Sequence, residues 1–206
     1  MGGDEGRTFL FAIASLLAFG CGRAATDSAA GVASSAAQPP PHPATTRDAV
    51  ANATIGGVFD APVTLKDGKY EGRPYVAGGA AYPRLLLLAD RVLFADLDGS
   101  PAKEAVSLLA ESSGGSGERI YLSVIGLRDG QARSLGTVLV GDRTRIRDVA
   151  VDGRTIVLDV IEIGPNEAAC CPTQQARKTY SFEGDRVTLT RSEVTGKVPT
   201  PPPDQR

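Results

Sequence analysis

Two stretches of this 206-residue chain carry side chains whose types and spacing can do chemistry. The first is Gly164-Pro165-Asn166-Glu167-Ala168-Ala169-Cys170-Cys171-Pro172-Thr173-Gln174, where two cysteines stand side by side between strand-like runs. Adjacent trans residues hold their Cα atoms about 3.8 Å apart, below the usual disulfide range, and in a regular strand their side chains point to opposite faces. A vicinal disulfide between Cys170 and Cys171 is nonetheless the expected state. It requires a distorted turn, and Pro172 restricts Cys171 to extended conformations, so strain falls on the Cys170-Cys171 linkage. Such a bond is comparatively reducible, which makes a redox switch one alternative. Two reduced, partly buried thiols packed as small hydrophobes are another. A soft-metal site is disfavoured, because the stretch has no His, third Cys or useful Met to complete the coordination shell.

The second stretch is Asp96-Leu-Asp98-Gly-Ser100-Pro-Ala-Lys-Glu104, with oxygen side chains at its positions 1, 3, 5 and 9. A curled loop with that spacing turns successive oxygens towards one hard cation, and it resembles the calcium loops of FG-GAP-type β-propeller repeats. The resemblance implies Asp96, Asp98, Ser100 and Glu104 as Ca²⁺ ligands. Ser stands at the fifth position and Pro101 replaces the usual Gly, so an ordinary acidic turn is the competing reading. The only histidine is His42, in a Pro-rich run. A Ser-His-Asp or Cys-His triad and a His-ligated zinc site inside the domain are thereby excluded. Ser116 in Gly114-Gly-Ser-Gly117 lacks both a His base and a nucleophile elbow, so an enzyme ranks third among function classes.

The elements that must position these residues are short. Gly 24 and Pro 14 punctuate the chain, Trp is absent and aromatics are only 5%, so the core must be aliphatic and the fold β-rich. Asp67-Gly68, Asp129-Gly130 and Asp152-Gly153, together with Gly184-Asp185, separate alternating or aliphatic runs, the pattern of hairpins. The expected fold is mainly β: a single antiparallel β-sheet or meander domain over 47–195, sandwich- or barrel-like, with at most one short helix. Residues 155–163 are apolar on both faces and are expected to form a central, covered strand. The segment 100–111 reads either as a helix capped by Ser100 with Pro101 in its first turn or as a strand after the acidic loop. Arg143, Arg145 and Arg147, flanked by Asp142 and Asp148, alternate and are expected to share one solvated sheet face. A net charge of −2 argues against nucleic acid as a partner.

The N-terminus carries an address. Residues 8–20 form an apolar or small run, too short to span a membrane and the right size for a signal-peptide core. The run ends in Leu17-Ala18-Phe19-Gly20-Cys21, which resembles the lipobox of bacterial lipoproteins. The resemblance implies a signal peptide over 1–20, a lipid-modified Cys21 anchored to the membrane and, from Gly22 in a Gram-negative cell, outer-membrane sorting towards the periplasm. An ordinary signal peptide with an unmodified Cys21 is the alternative. Residues 21–46, rich in Ala, Ser and Pro, read as a linker, and 196–206 as a disordered Pro-rich tail. With Cys21 lipidated, Cys170 and Cys171 are the remaining thiols, in a compartment that favours disulfides.

Asn52-Ala-Thr54, Val63 to Glu71, Phe94 to Gly99, Glu104-Ala-Val, Gly114 to Gly117, Gly141-Asp-Arg143, Gly164-Pro-Asn166 and Cys170-Cys-Pro-Thr-Gln174 together resemble the LppP/LprE-type family of bacterial envelope lipoproteins over roughly residues 47 to 192. The resemblance implies an exported, anchored single-domain protein and supplies no catalytic residue. The leading expectation is a non-enzymatic envelope module that presents a β-domain to a partner protein or to cell-wall material. The alternative is an ion- or redox-responsive sensor that uses the Asp96–Glu104 loop or the Cys170–Cys171 turn.

Overall fold

A computed structural model describes residues 44–199. The expected signal peptide, Cys21, His42, the expected linker up to residue 43 and residues 200–206 of the expected tail lie outside the described residues. Near the start of the described residues Thr45 is buried, and the Thr46 Oγ1 accepts the Ala49 N–H at 3.1 Å and caps the helix α1 (Arg47–Ala51). Short strands follow: β1 (Thr54–Ile55), β2 (Val63–Thr64), β3 (Lys69–Glu71), β4 (Arg84–Leu87) and β5 (Leu93–Ala95). The longer strands are β6 (Glu104–Ser112), β7 (Arg119–Arg128), β8 (Gln131–Asp142), β9 (Arg145–Asp152), β10 (Thr155–Glu162), β11 (Gln174–Glu183) and β12 (Arg186–Lys197). The fold is mainly β with one short helix, as the turn pattern predicts.

The strands divide between two sheets. An eight-stranded sheet runs β2-β1-β8-β7-β6-β4-β3, with β5 also on β6, and curls into a nearly closed barrel-like layer. A four-stranded sheet runs β12-β11-β10-β9. Pairing is antiparallel except where Thr54 of β1 meets Arg133 of β8. One core joins the sheets through Val106, Leu108, Leu122 and Val124 on one side and Ile156, Leu158, Tyr180 and Phe182 on the other. A second core, under α1 and the short strands, takes the opposite faces of β6 and β7, including Leu109, Tyr121 and Ile125.

Asp129 (φ 54°) and Gly130 (φ 75°) join β7 to β8, and Gly184 with Asp185 (φ 64°) joins β11 to β12. Two consecutive positive φ values make a hairpin turn whose twist matches its strands, which is why Gly beside Asp recurs there. Asp67-Gly68 forms a turn as well, but only a Lys66–Lys69 bridge joins its flanks, and β2 and β3 pair with β1 and β4 instead.

Residues 104–112 are strand, not helix. Ala105 to Ala110 are buried on both faces between the two cores, and β6 has neighbours along both edges, an environment that leaves no polar helical face to solvate. The doubly covered strands are thus β6 and β7. The strand over Thr155–Glu162 is central in its sheet but covered on one face only: Ile156, Leu158 and Val160 are buried, whereas Val157, Asp159 and Ile161 are half-buried. The three arginines do not share a strand face. Arg143 lies in the β8–β9 turn with φ 48°, and a bulge at Asp159/Val160 breaks the alternation at Arg147. At the C-terminus, ladder pairing continues past 195 to Gly196 and Lys197, and the Val198 N–H donates to Thr173 O at 2.8 Å.

Where the sheets meet, the buried Lys178 of β11 donates through Nζ to Val140 O of β8 at 2.8 Å and pairs with Glu162 Oε2 of β10 at 2.6 Å. The Lys178→Met variant would leave a carbonyl and a carboxylate without their cation. It is expected to lose about 3 kcal/mol in urea unfolding, and an unchanged midpoint would show that the ammonium does not tie the sheets.

Candidate functional site: a thiol turn and an acidic loop

The thiol turn is built on one carboxylate. Glu167 accepts hydrogen bonds from the Gly164 N–H (2.9 Å), the Thr173 N–H (3.0 Å) and the Thr173 Oγ1 hydroxyl (2.5 Å), and Lys197 Nζ stands 3.4 Å away. Both ends of the β10–β11 connection are thereby drawn onto one side chain. Those donors, the Thr173 hydroxyl first, hold the Glu167 carboxyl down at about 2. Inside the loop the Cys171 N–H donates to Ala168 O at 3.0 Å, closing a turn over Ala168–Cys171, and Pro172 is buried beneath it.

The expected vicinal disulfide is not what this turn holds. Cys170 and Cys171 are both exposed and carry thiols, and the chain contains no cis peptide among the described residues. The geometry of adjacent residues across a trans linkage gives the reason, since their Cα atoms stand about 3.8 Å apart, below the usual disulfide range, and a proline after the pair restricts the distortion a bond would need. The alternative of partly buried thiols is corrected too, because the surrounding loop leaves both on the surface.

One wall of a cavity of about 690 Å³ is formed by Cys170 and Pro172. Ser116 and Glu118 from the β6–β7 loop, Arg143 from the β8–β9 turn and Arg145 from the start of β9 also line it. Arg143 is fixed by Asp142 Oδ2 at 2.6 Å, its Nη2 lies 3.5 Å from Ser116 Oγ, and its backbone N–H donates to Glu118 O at 2.7 Å. The β6–β7 loop is itself held by the buried Glu111, which accepts from Arg119 Nε (2.6 Å) and from the Ser113 hydroxyl.

The acidic loop lies elsewhere, between β5 and β6. Carboxylate oxygens of Asp96, Asp98 and Glu104 come within 4.8 Å of one another. Asp96 Oδ1 accepts the Gly99 N–H and Asp98 Oδ1 the Ser100 N–H, the side-chain-to-backbone bonds that curl an Asp-rich turn. Ser100 departs from the expected set: its hydroxyl donates to Ala102 O at 2.9 Å. Glu104 is 3% exposed, accepts the Leu97 N–H at 2.9 Å, and has its carboxyl pushed up by burial and then by the charges of Asp98 and Asp96. Three clustered carboxylates, each with an oxygen to spare, suit a hard cation completed by water.

Sequence reasoning found the cysteines and the acidic trio. It missed Glu167 as the brace of the thiol turn and Arg145 as a residue sharing a cavity with Cys170; the signal for the first was a Glu three residues after Gly164, at the reach of a loop-closing side chain. No family model, curated protein or solved structure matches the chain. Among the described residues no helix is long and apolar enough to cross a membrane.

Replacing Glu167 by Gln is expected to speed amide exchange at Gly164 and Thr173 while leaving strand amides protected. In the parent protein the same opening should appear only in strong acid. A depressed carboxyl lends its support above the ordinary Glu range near 4.3 and loses it as pH falls through about 2. NMR-detected exchange between pH 5 and pH 2 checks both, and exchange unaffected by the substitution would remove Glu167 from this role.

Proposed function

We propose that this protein is an envelope lipoprotein of the LppP/LprE type, anchored through Cys21, whose β-domain binds an envelope protein or cell-wall component without catalysing a reaction. The lipobox-like Leu17 to Cys21 and the separation of about two dozen residues between Cys21 and Thr45, the first buried residue among those described, support the anchored arrangement.

The observation that carries the binding role is an apolar tongue between β3 and β4. Tyr75 is 59% exposed and Val76 72% exposed at its tip, and Gly79 closes the tip by donating its N–H to Val76 O at 2.8 Å. Tyr82 at its base is stacked under the Arg84 guanidinium, 4.1 Å from the ring centre. Exposed Tyr and Arg on a backbone-braced loop are the side chains that supply most contact energy at protein interfaces. Crosslinking in intact envelopes tests it. The parent protein is expected to yield one dominant partner that is lost in Tyr75→Ser/Val76→Ser at unchanged melting temperature; equal recovery would refute the tongue. Fatty-acid labelling that is absent from Cys21→Ser but present in the parent is expected for the anchor.

The acidic loop favours a second reading, an ion-responsive module. Buried Glu104 with a raised carboxyl pKa costs stability when ionised, and that cost is relieved as pH falls through its folded value or when a cation binds. Millimolar Ca²⁺ is therefore expected to raise the melting temperature at neutral pH, by mass action. Glu104→Gln should melt higher than the parent without Ca²⁺ and gain nothing from adding it. A parent melt indifferent to Ca²⁺ would end this reading. The exposed thiols of Cys170 and Cys171 extend the second reading to redox-responsive chemistry.

A further inference from the structure

The cavity beside the thiol turn joins a nucleophile to unspent positive charge. Three loops from different strand pairs converge there, and each is pinned: the thiol turn by Glu167, the β6–β7 loop by Glu111, and the β8–β9 turn by the Arg143 N–H to Glu118 O bond. Their relative placement is therefore set by the fold. Of the two guanidinium groups on the wall, Arg143 is taken up by Asp142 at 2.6 Å. Arg145 is exposed, and no ion pair or side-chain hydrogen bond engages it among the described residues. The opposing charge on the wall is Glu118. Cys170 faces this space with an exposed thiol. A volume of about 690 Å³ accommodates a small molecule rather than a lone ion.

We infer that this cavity is a thiol–disulfide exchange site for small disulfides that bear carboxylates, with Arg145 holding the carboxylate and Cys170 attacking sulfur. In the step, the Cys170 thiol gives its proton to solvent and the thiolate attacks one sulfur of the bound disulfide. The ligand S–S bond breaks, a mixed disulfide forms at Cys170, and the other half leaves as a thiolate that takes a proton from water. Cys170 is oxidised and the departing half is reduced, so the small disulfide is the only oxidant required. Pro172 lines the cavity beside the thiol, and Arg145 recruits the substrate, raising its local concentration through charge rather than shape. This deepens the redox arm of the second reading and is independent of the anchor and of the tongue.

The test uses the full chain carrying Cys21→Ser and Cys171→Ser, so that Cys170 is its one thiol. Second-order rates are compared for dithiobis(nitrobenzoate), which carries two carboxylates, and dithiodipyridine, which is uncharged at neutral pH, each normalised to its rate with a free small thiol. The normalised preference for the anionic probe is expected to fall about threefold to tenfold in Arg145→Gln, to survive in Arg145→Lys, to rise in Glu118→Gln and to shrink with added salt. The neutral probe should react alike with all four proteins, which shows that the turn still folds. An anionic preference unchanged by Arg145→Gln would overturn the carboxylate site while leaving a reactive thiol. A Cys170 inert to both probes would overturn the exchange site and the redox arm with it.

Discussion

Two sheets must share one apolar layer, and that constraint governs the rest of the molecule. With no Trp and few aromatics, the layer is aliphatic apart from Tyr180 and Phe182, which are among the largest side chains fully buried. The inner faces of β6 and β7 meet those of β10 and β11 there. Because β6 and β7 also bury their other faces under α1 and the short strands, they cannot shift by one residue without moving apolar groups into water on one side or the other. The long strands are thus locked in register, and their ends, where loops emerge, are fixed points. Lys178 adds a polar tie at this boundary and satisfies a carbonyl of the facing sheet.

Against that frame the chemistry-bearing loops follow one rule: each is fastened by a glutamate side chain, two of them at or near a strand end and the third within the connection it closes. Glu104, first residue of β6, accepts from the acidic loop that precedes it; Glu111, near the end of the same strand, accepts from the loop that follows; Glu167 closes the thiol turn. Their environments differ. Burial and neighbouring carboxylates push Glu104 up, whereas donors converge on Glu167 and hold it down. A raised carboxylate amid like charge is a place for a cation, and a depressed one surrounded by donors is a brace. The same residue type therefore makes a candidate site in one loop and a scaffold in another.

Much of the fold was legible in the chain. Asp67-Gly68, Asp129-Gly130 and Gly184-Asp185 marked tight connections because few residue pairs tolerate consecutive positive φ. The acidic trio was legible from spacing alone, since a short curled loop brings alternate side chains together whatever surrounds it. Other readings failed for identifiable causes. Ala105 to Ala110 suited helix and strand equally, and only pairing on both edges decided it. Arg143 followed a strand-like period but sits at φ 48° in a turn. The cysteine pair invited a bond that its local geometry opposes.

The sequence by itself determined that the domain is β-rich, where its hairpins turn and which acidic side chains cluster, because these depend on contacts a few residues apart. The address proposed from Leu17 to Cys21 rests on the sequence alone and lies outside the described residues. The tertiary structure decided which strands are covered twice, that β1 joins β8 in parallel, and that Arg145, Ser116 and Cys170 face one cavity. Those residues come from two connections and the start of β9, separated by as many as 54 positions, Ser116 to Cys170, and nothing in their local sequence refers to one another. They meet because the strands bearing them are set by burial of apolar faces, a condition satisfied by the whole chain at once.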